Sequence, residues 1–349
     1  MVNIRSGHSN WTFGPASNAV VGGDVVYISS VQSGHADLIA LDRGTGHILW
    51  RKPSEPDSLV ASDLGVVIGN QKGITRFGRD GNVLWHDAPV ENLKELLLVA
   101  HRFVIASGIE SGSSLHSVAT IIDFKSGAFV STSTFGDPLE ITPSSVFAET
   151  YSVSNNFDTW CGNADITSIR FSKSGIPNAS TIRYIFEDIP DNVQSTPCIN
   201  DRNGIPKATL ADNTLVLTSG MITAVFEIGD PSRARKIFTK ESFVGGAYGN
   251  VVALNDKSGL RLYDISSNRS VSVPGSVSAN VATAAVRNHI FVSIGNELIE
   301  YDSSTLRELG RYPARCARIM GIGRSANDDV IQCIEEGDEN MFTLYSLSH

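Results

Sequence analysis

One local pattern recurs along the whole chain and limits what it can fold into. A short β-prone run leads through a loop to a second run, a tight turn of Asp, Ser, Thr and Gly, and a third run. It is plainest early. Asp24-Val25-Val26-Tyr27-Ile28-Ser29 alternates as a strand does, and residues 37–42 follow. Arg43-Gly44-Thr45-Gly46 then turns the chain into His47-Ile48-Leu49-Trp50. The next copy runs through 66–69, 74–77, Asp80-Gly81 and Asn82-Val83-Leu84-Trp85. Later copies keep the rhythm with more worn turns, such as Lys125-Ser126-Gly127, Ser266-Ser267-Asn268 and Ser303-Ser304-Thr305.

Counted this way, 349 residues hold eight units at a mean pitch of roughly 44, the spacing of propeller blades. The pitch stretches between Asp137 and Asn213, so seven units with insertions is the alternative. The last unit stops before an outer strand, and Asn10-Trp11-Thr12-Phe13 is the candidate to supply it. A small four-stranded sheet cannot bury its own faces, so neighbours must stack. The expected fold is all-β: a β-propeller of four-stranded antiparallel blades, its ring closed by an N-terminal strand on the last blade. It forms one domain over residues 1–349. The helix-like stretch at 90–98 runs directly into a strand pattern and predicts at most one helical turn.

Charge narrows the partners. Lys plus Arg is 28 against 37 Asp plus Glu, a net charge of −9, which argues against a binder of nucleic-acid phosphates. No apolar run approaches the roughly 20 residues of a membrane helix. The first residues show no apolar core or cleavage site of an export signal, so a cytoplasmic monomer is expected. Cys161, Cys198, Cys316 and Cys333 are widely spaced and form no CxxC, which predicts reduced, mostly buried thiols. Cys316 and Cys333 could approach each other on one hairpin, with a disulfide as the alternative.

The run Ala40-Leu41-Asp42-Arg43-Gly44-Thr45-Gly46-His47-Ile48-Leu49-Trp50 resembles the repeat of the pyrroloquinoline-quinone (PQQ)-type propellers, Ala-x-Asp-x-x-Thr-Gly-x-x-x-Trp. The second unit keeps Asp80, Gly81 and Trp85. In that repeat Asp42, Thr45 and Gly46 would close the turn, and Trp50 would pack on the neighbouring blade. The family's enzymes are longer and exported, hold the quinone with calcium, and carry an adjacent-cysteine disulfide that this sequence lacks. The resemblance therefore implies a non-catalytic member, similar to the outer-membrane assembly lipoprotein BamB, with no cofactor. BamB's own role needs export and a lipidated N-terminal cysteine, and neither is visible here.

Other motifs read as structure. Gly321-Ile322-Gly323-Arg324-Ser325-Ala326 matches a dinucleotide turn, but acidic residues and a strand follow where a helix is required. Residues 200–206 resemble a degenerate calcium loop and read better as an Asn-Gly hairpin. The eight histidines form no metal-ligand spacing, His35 and His86 among them, so no metal site is expected. No nucleophile elbow is present.

Loops 30–36, 108–116, 155–165 and 335–340 are predicted to be long and to share one face. They carry Glu110, Asp158, Glu335, Glu336, Asp338 and Glu339, with Phe157 and Trp160 as aromatic anchors. Acids around an aromatic suit a basic protein, because charge steers the encounter and the ring supplies dry contact. The functional expectation is a non-enzymatic scaffold, of immunity or adaptor type, that binds a basic protein. A small-molecule enzyme or sensor with its site at the channel mouth is the alternative. The inner strands 245–249 and 281–286 are small and apolar, which favours the scaffold.

Overall fold

Short strands and tight turns make up this computed structural model from end to end. It describes residues 2–3, 11, 13, 16–32, 35–87, 92–99, 101–110, 116–134, 137–143, 148–154, 163–171, 177–185, 207–211, 214–219, 222–227, 234–239, 242–248, 250–276, 281–286, 288–314, 316, 318–322, 330–334 and 342–346. The chain divides into two compact units. One is Met1–Thr134 with Phe291–Glu300 and Gly310–His349; the other is Phe135–Ile290 with Tyr301–Leu309.

β1 (Val2–Asn3) stands alone at the start, and the strands after it run in fours. The first sheet is β2 (Asn18–Gly22), β3 (Val25–Gln32), β4 (His35–Asp42) and β5 (Ile48–Pro53). The second is β6 (Ser58–Ser62), β7 (Gly65–Asn70), β8 (Gly73–Phe77) and β9 (Val83–Asp87). The third is β10 (Leu93–Val99), β11 (Phe103–Glu110), β12 (His116–Asp123) and β13 (Phe129–Thr134). β14 (Asp137–Pro143), β15 (Ala148–Ser154), β16 (Asn163–Phe171) and β17 (Pro177–Ile185) form the fourth. β18 (Lys207–Ala211), β19 (Thr214–Ser219), β20 (Ile222–Glu227) and β21 (Lys236–Thr239) form the fifth. The sixth holds β22 (Ser242–Tyr248), β23 (Val251–Asp256), β24 (Gly259–Asp264) and β25 (Arg269–Ser272). The seventh holds β26 (Val281–Val286), β27 (His289–Ile294), β28 (Glu297–Asp302) and β29 (Glu308–Pro313). β30 (Arg318–Ile322), β31 (Val330–Ile334) and β32 (Phe342–Ser346) form the eighth, and β1 is its fourth strand. Among the described residues there are thus eight four-stranded sheets.

Stacking within each unit follows from burial. In the first unit β2 lies beside β6 and β6 beside β10; in the second β14, β18, β22 and β26 follow one another in the same way. Residues Val25 to Ser30 of β3 are all buried, so the strand does not alternate between core and solvent as its sequence predicts. The reason is that both of its faces meet apolar layers. Val26 and Ile28 pack with Ala19, Ile39 and Leu41 on one side, where Trp11 and Phe13 also lie. Val25 and Tyr27 pack on the other with Leu59, Val66, Ile68 and Phe77 of the second sheet. A further layer joins Val67 and Ile74 to Leu96, Val104, Ile122 and Phe124 of the third. In the second unit, Val216, Val225 and Phe238 meet Val252, Leu254 and Tyr263. Each large side chain buried in these layers contributes about 1.5–3 kcal/mol. The outer strands β5, β9 and β29 stay largely exposed.

Several sequence expectations are corrected here. The eighth sheet takes Val2–Asn3 as its outer strand, not residues 10–13. The pairing is parallel, with Val2 opposite Tyr345 and Asn3 opposite Ser346, so this sheet is not wholly antiparallel. Residues 30–36 are no long loop: β3 and β4 pair through Val31 with Ala36 and Gln32 with His35. The stretch read as a helical turn is the strand β10. Cys316 and Cys333 are not reduced thiols but a disulfide, Cα to Cα 4.9 Å. No described helix is long and apolar enough to cross a membrane.

Candidate functional site: the aspartate turns, their tryptophans and the outer strands

Four turns share one construction. They are the five-residue segments beginning at Asp42, Asp123, Asp264 and Asp302. In each, the Asp carboxylate accepts from the backbone N–H and the hydroxyl of the fourth residue: Thr45 at 2.8 and 2.7 Å, Ser126 at 2.9 and 2.8 Å, Thr305 at 2.8 and 2.8 Å. Ser267 donates both ways too, its N–H at 3.3 Å. The fifth residue then takes a positive φ: 73° at Gly46, 74° at Gly127, 57° at Asn268 and 57° at Leu306. Short polar side chains here do locally what a longer loop would do with backbone alone. The second sheet uses a variant in which Asn82 donates its N–H to Asp80 at 3.1 Å and Gly81 holds φ 79°.

These hydrogen bonds hold the aspartates ionised. Donors from Ser304, then Thr305, bring Asp302 down to about 2. Thr45 lowers Asp42, and Asn82 lowers Asp80. At Asp123 and Asp264 burial is the largest single influence and pushes upward, but Ser126 with Arg102 at the first, and Ser266 with Ser267 at the second, together outweigh it.

Three glycine turns of the first unit receive a tryptophan. Trp50 donates its indole N–H to the Arg79 carbonyl at 2.7 Å and lies over Gly81. Trp85 donates to the Phe124 carbonyl at 2.9 Å and lies over Gly127. Trp11, which the sequence assigned to a closing strand, donates to the Arg43 carbonyl at 2.7 Å and lies over Gly46. A Cβ at Gly46, Gly81 or Gly127 would sit 2.5, 2.9 or 2.7 Å from the ring. Glycine is needed both for the positive φ and for this approach.

Sequence reasoning missed two supports. Arg76, 4% exposed, donates to the carbonyls of Lys125 at 2.8 Å and Leu64 at 3.1 Å, with its guanidinium 4.5 Å from the centroid of Phe124. Burial lowers its pKa, and the two carbonyls accept hydrogen bonds from its guanidinium. Tyr27 is buried beside Trp50, and burial pushes its hydroxyl up to about 12. A lone Arg or Tyr in a strand carries no sequence signal that it faces a neighbouring sheet.

Of the predicted contact residues, Glu110 ends β11, opposite His116. Phe157, Asp158, Trp160, Glu335, Glu336, Asp338 and Glu339 lie outside the described residues, as do residues 200–206 and 323–326. His35 and His86 are exposed, and His86 shares a hydrogen bond with Thr75 at 2.8 Å. Among the described residues no group of His, Cys, Asp and Glu is placed to hold a metal. The first unit also exposes large apolar side chains. Ile48 and Leu49 on β5, Val83 and Leu84 on β9, and Phe129 on β13 are between 50% and 61% exposed. Each lies one or two residues before the tryptophan position of its strand, which in β13 is held by Ser131.

Residues 1–133 match the family model described as outer membrane protein assembly factor BamB. This stretch carries the PQQ-type repeat. It contains all three tryptophan-bearing turns. No curated protein matches the chain. Among solved structures, the computationally designed Ika8 protein aligns with a TM-score of 0.52 and 13% identity over 96% of this chain and 97% of that one. Apo AztD from Citrobacter koseri gives 0.52 and 12% over 90% of each chain. Quinohemoprotein alcohol dehydrogenase from Comamonas testosteroni gives 0.52 and 12% over 92% of this chain and 70% of that one. At such identities the likeness is one of fold, and the fold is the β-propeller.

Proposed function

We propose that the protein is a non-catalytic scaffold that binds another protein. The carrying observation is how the PQQ-type segment uses its side chains. Asp42, Thr45, Asp80 and Asp123 hydrogen-bond inside turns, and Trp50, Trp85 and Arg76 join neighbouring sheets. The apolar residues of β5, β9 and β13 face solvent at repeated positions. That division suits contact more than chemistry. The acidic residues Glu110, Asp158, Glu335, Glu336, Asp338 and Glu339, with Phe157 and Trp160, would steer and anchor a basic partner.

The reading is tested by affinity capture from the native host with the wild-type chain and two variants. One carries Trp160→Ala, the other Glu335→Lys and Glu336→Lys. A single stoichiometric basic protein is expected, with capture reduced at least tenfold in one variant. Copurification of a quinone or a metal in place of a protein would sink the proposal.

A further inference from the structure

The disulfide is absorbed by none of this. Cys333 sits on β31, fully buried, opposite Ile319 of β30. Cys316, 1% exposed, lies in the segment between β29 and β30. That segment is also tied backward. Ala314 donates its N–H to the Asn296 carbonyl at 3.0 Å, and the buried Ser293 hydroxyl donates to the Cys316 carbonyl. The crossing from the seventh sheet to the eighth is therefore stitched by hydrogen bonds on one side and by a covalent bond on the other. A covalent bond matters in the eighth sheet because, among the described residues, its outer strand β1 pairs through Val2 and Asn3 alone.

We infer that Cys316–Cys333 is a redox latch on the sheet that receives the amino-terminal strand. It would be set during folding in an oxidising compartment and closed to exchange once the sheet forms. Setting it joins the two sulfurs: both thiols lose a proton to solvent, and the electron pair passes to a disulfide oxidant, which becomes a dithiol. Release runs the other way, with a dithiol reductant oxidised to its own disulfide. Exchange needs an attacking thiolate to reach a sulfur, and both sulfurs are buried, so release requires local opening first. Buried disulfides of this sort persist where thiols are kept oxidised, whereas the sequence alone pointed to the cytoplasm.

The test uses the full chain folded under oxidising conditions. It is alkylated in denaturant without reductant, digested, and mapped by mass spectrometry. Peptides bearing Cys316 and Cys333 are expected as one linked species; recovery of both as alkylated thiols would overturn the latch. In parallel, thermal unfolding is followed with and without a phosphine reductant. The wild type should lose on the order of 5 °C after reduction. A Cys316→Ser/Cys333→Ser variant should start lower and lose markedly less. An equal loss in both proteins would assign the effect elsewhere and refute the proposal. Should the variant not fold, the mapped linkage and the slow native-state reduction of the wild type still decide. Linkage reduced within seconds in the native protein would contradict a closed latch.

Discussion

Trp85 holds two sheets together with one side chain by two different forces. Its ring covers the backbone at Gly127, and its N–H satisfies the Phe124 carbonyl. Separate substitutions tell these apart. Gly127→Ala forces a Cβ into the ring at a positive φ and should cost about 1–3 kcal/mol in urea unfolding. Trp85→Phe keeps an aromatic ring but loses the donor, and about 1 kcal/mol is expected. If Gly127→Ala is neutral, the close approach of ring and turn is not what joins these sheets. Trp50 and Trp85 were readable from the repeat because a turn Asp and a turn Gly precede each one closely, the Gly at the same spacing in both. Trp11 was not, because no Asp stands among the residues before it to mark the repeat's turn.

At the scale of elements, the aspartate turns link the fold to pH. The folded pKa of Asp302 lies near 2, below the ordinary 3.8, and those of Asp42, Asp80, Asp123 and Asp264 are lowered as well. A depressed carboxylate adds stability above its unfolded pKa and loses it as pH falls through the folded value. The turn contribution should thus be complete above about pH 4 and disappear towards about pH 2. Carbon-13 titration of the side chains should place Asp302 near the bottom of that window; a midpoint at 3.8 would remove the turn from the account. A second prediction concerns the eighth sheet. Deleting residues 1–3 exposes the β32 edge, and unpaired edges invite pairing with other chains. A lower melting temperature and concentration-dependent association are expected by light scattering, and an unchanged monomer would argue that β1 protects nothing. Many strand positions were legible because the runs are apolar and the turns polar, but β10 carried a helix-like pattern and the ends of β3 and β4 read as loop. The parallel pairing of β1 was not, since two residues carry no periodicity.

For the whole molecule, a scaffold should be indifferent to the cofactor of the enzymes it resembles in fold. Adding PQQ with calcium should leave the melting temperature unchanged. A ligand at 100 times its Kd would stabilise a binding-competent fold by about 2.7 kcal/mol, which is easily seen. A clear upward shift would end the non-catalytic reading. The sequence by itself determined the number of strands per unit, the turn chemistry and the all-β class, because these depend on contacts between residues close along the chain. Its rhythm, eight units at a pitch of roughly 44, set this fold apart before any packing was known. Only the tertiary structure decided that β3 is buried on both faces, that Trp11 docks on Gly46, that Arg76 crosses to the third sheet and that Cys316 meets Cys333. Each of these joins residues held together by the stacking of one sheet on another or by strand register, and neither can be read from local spacing alone.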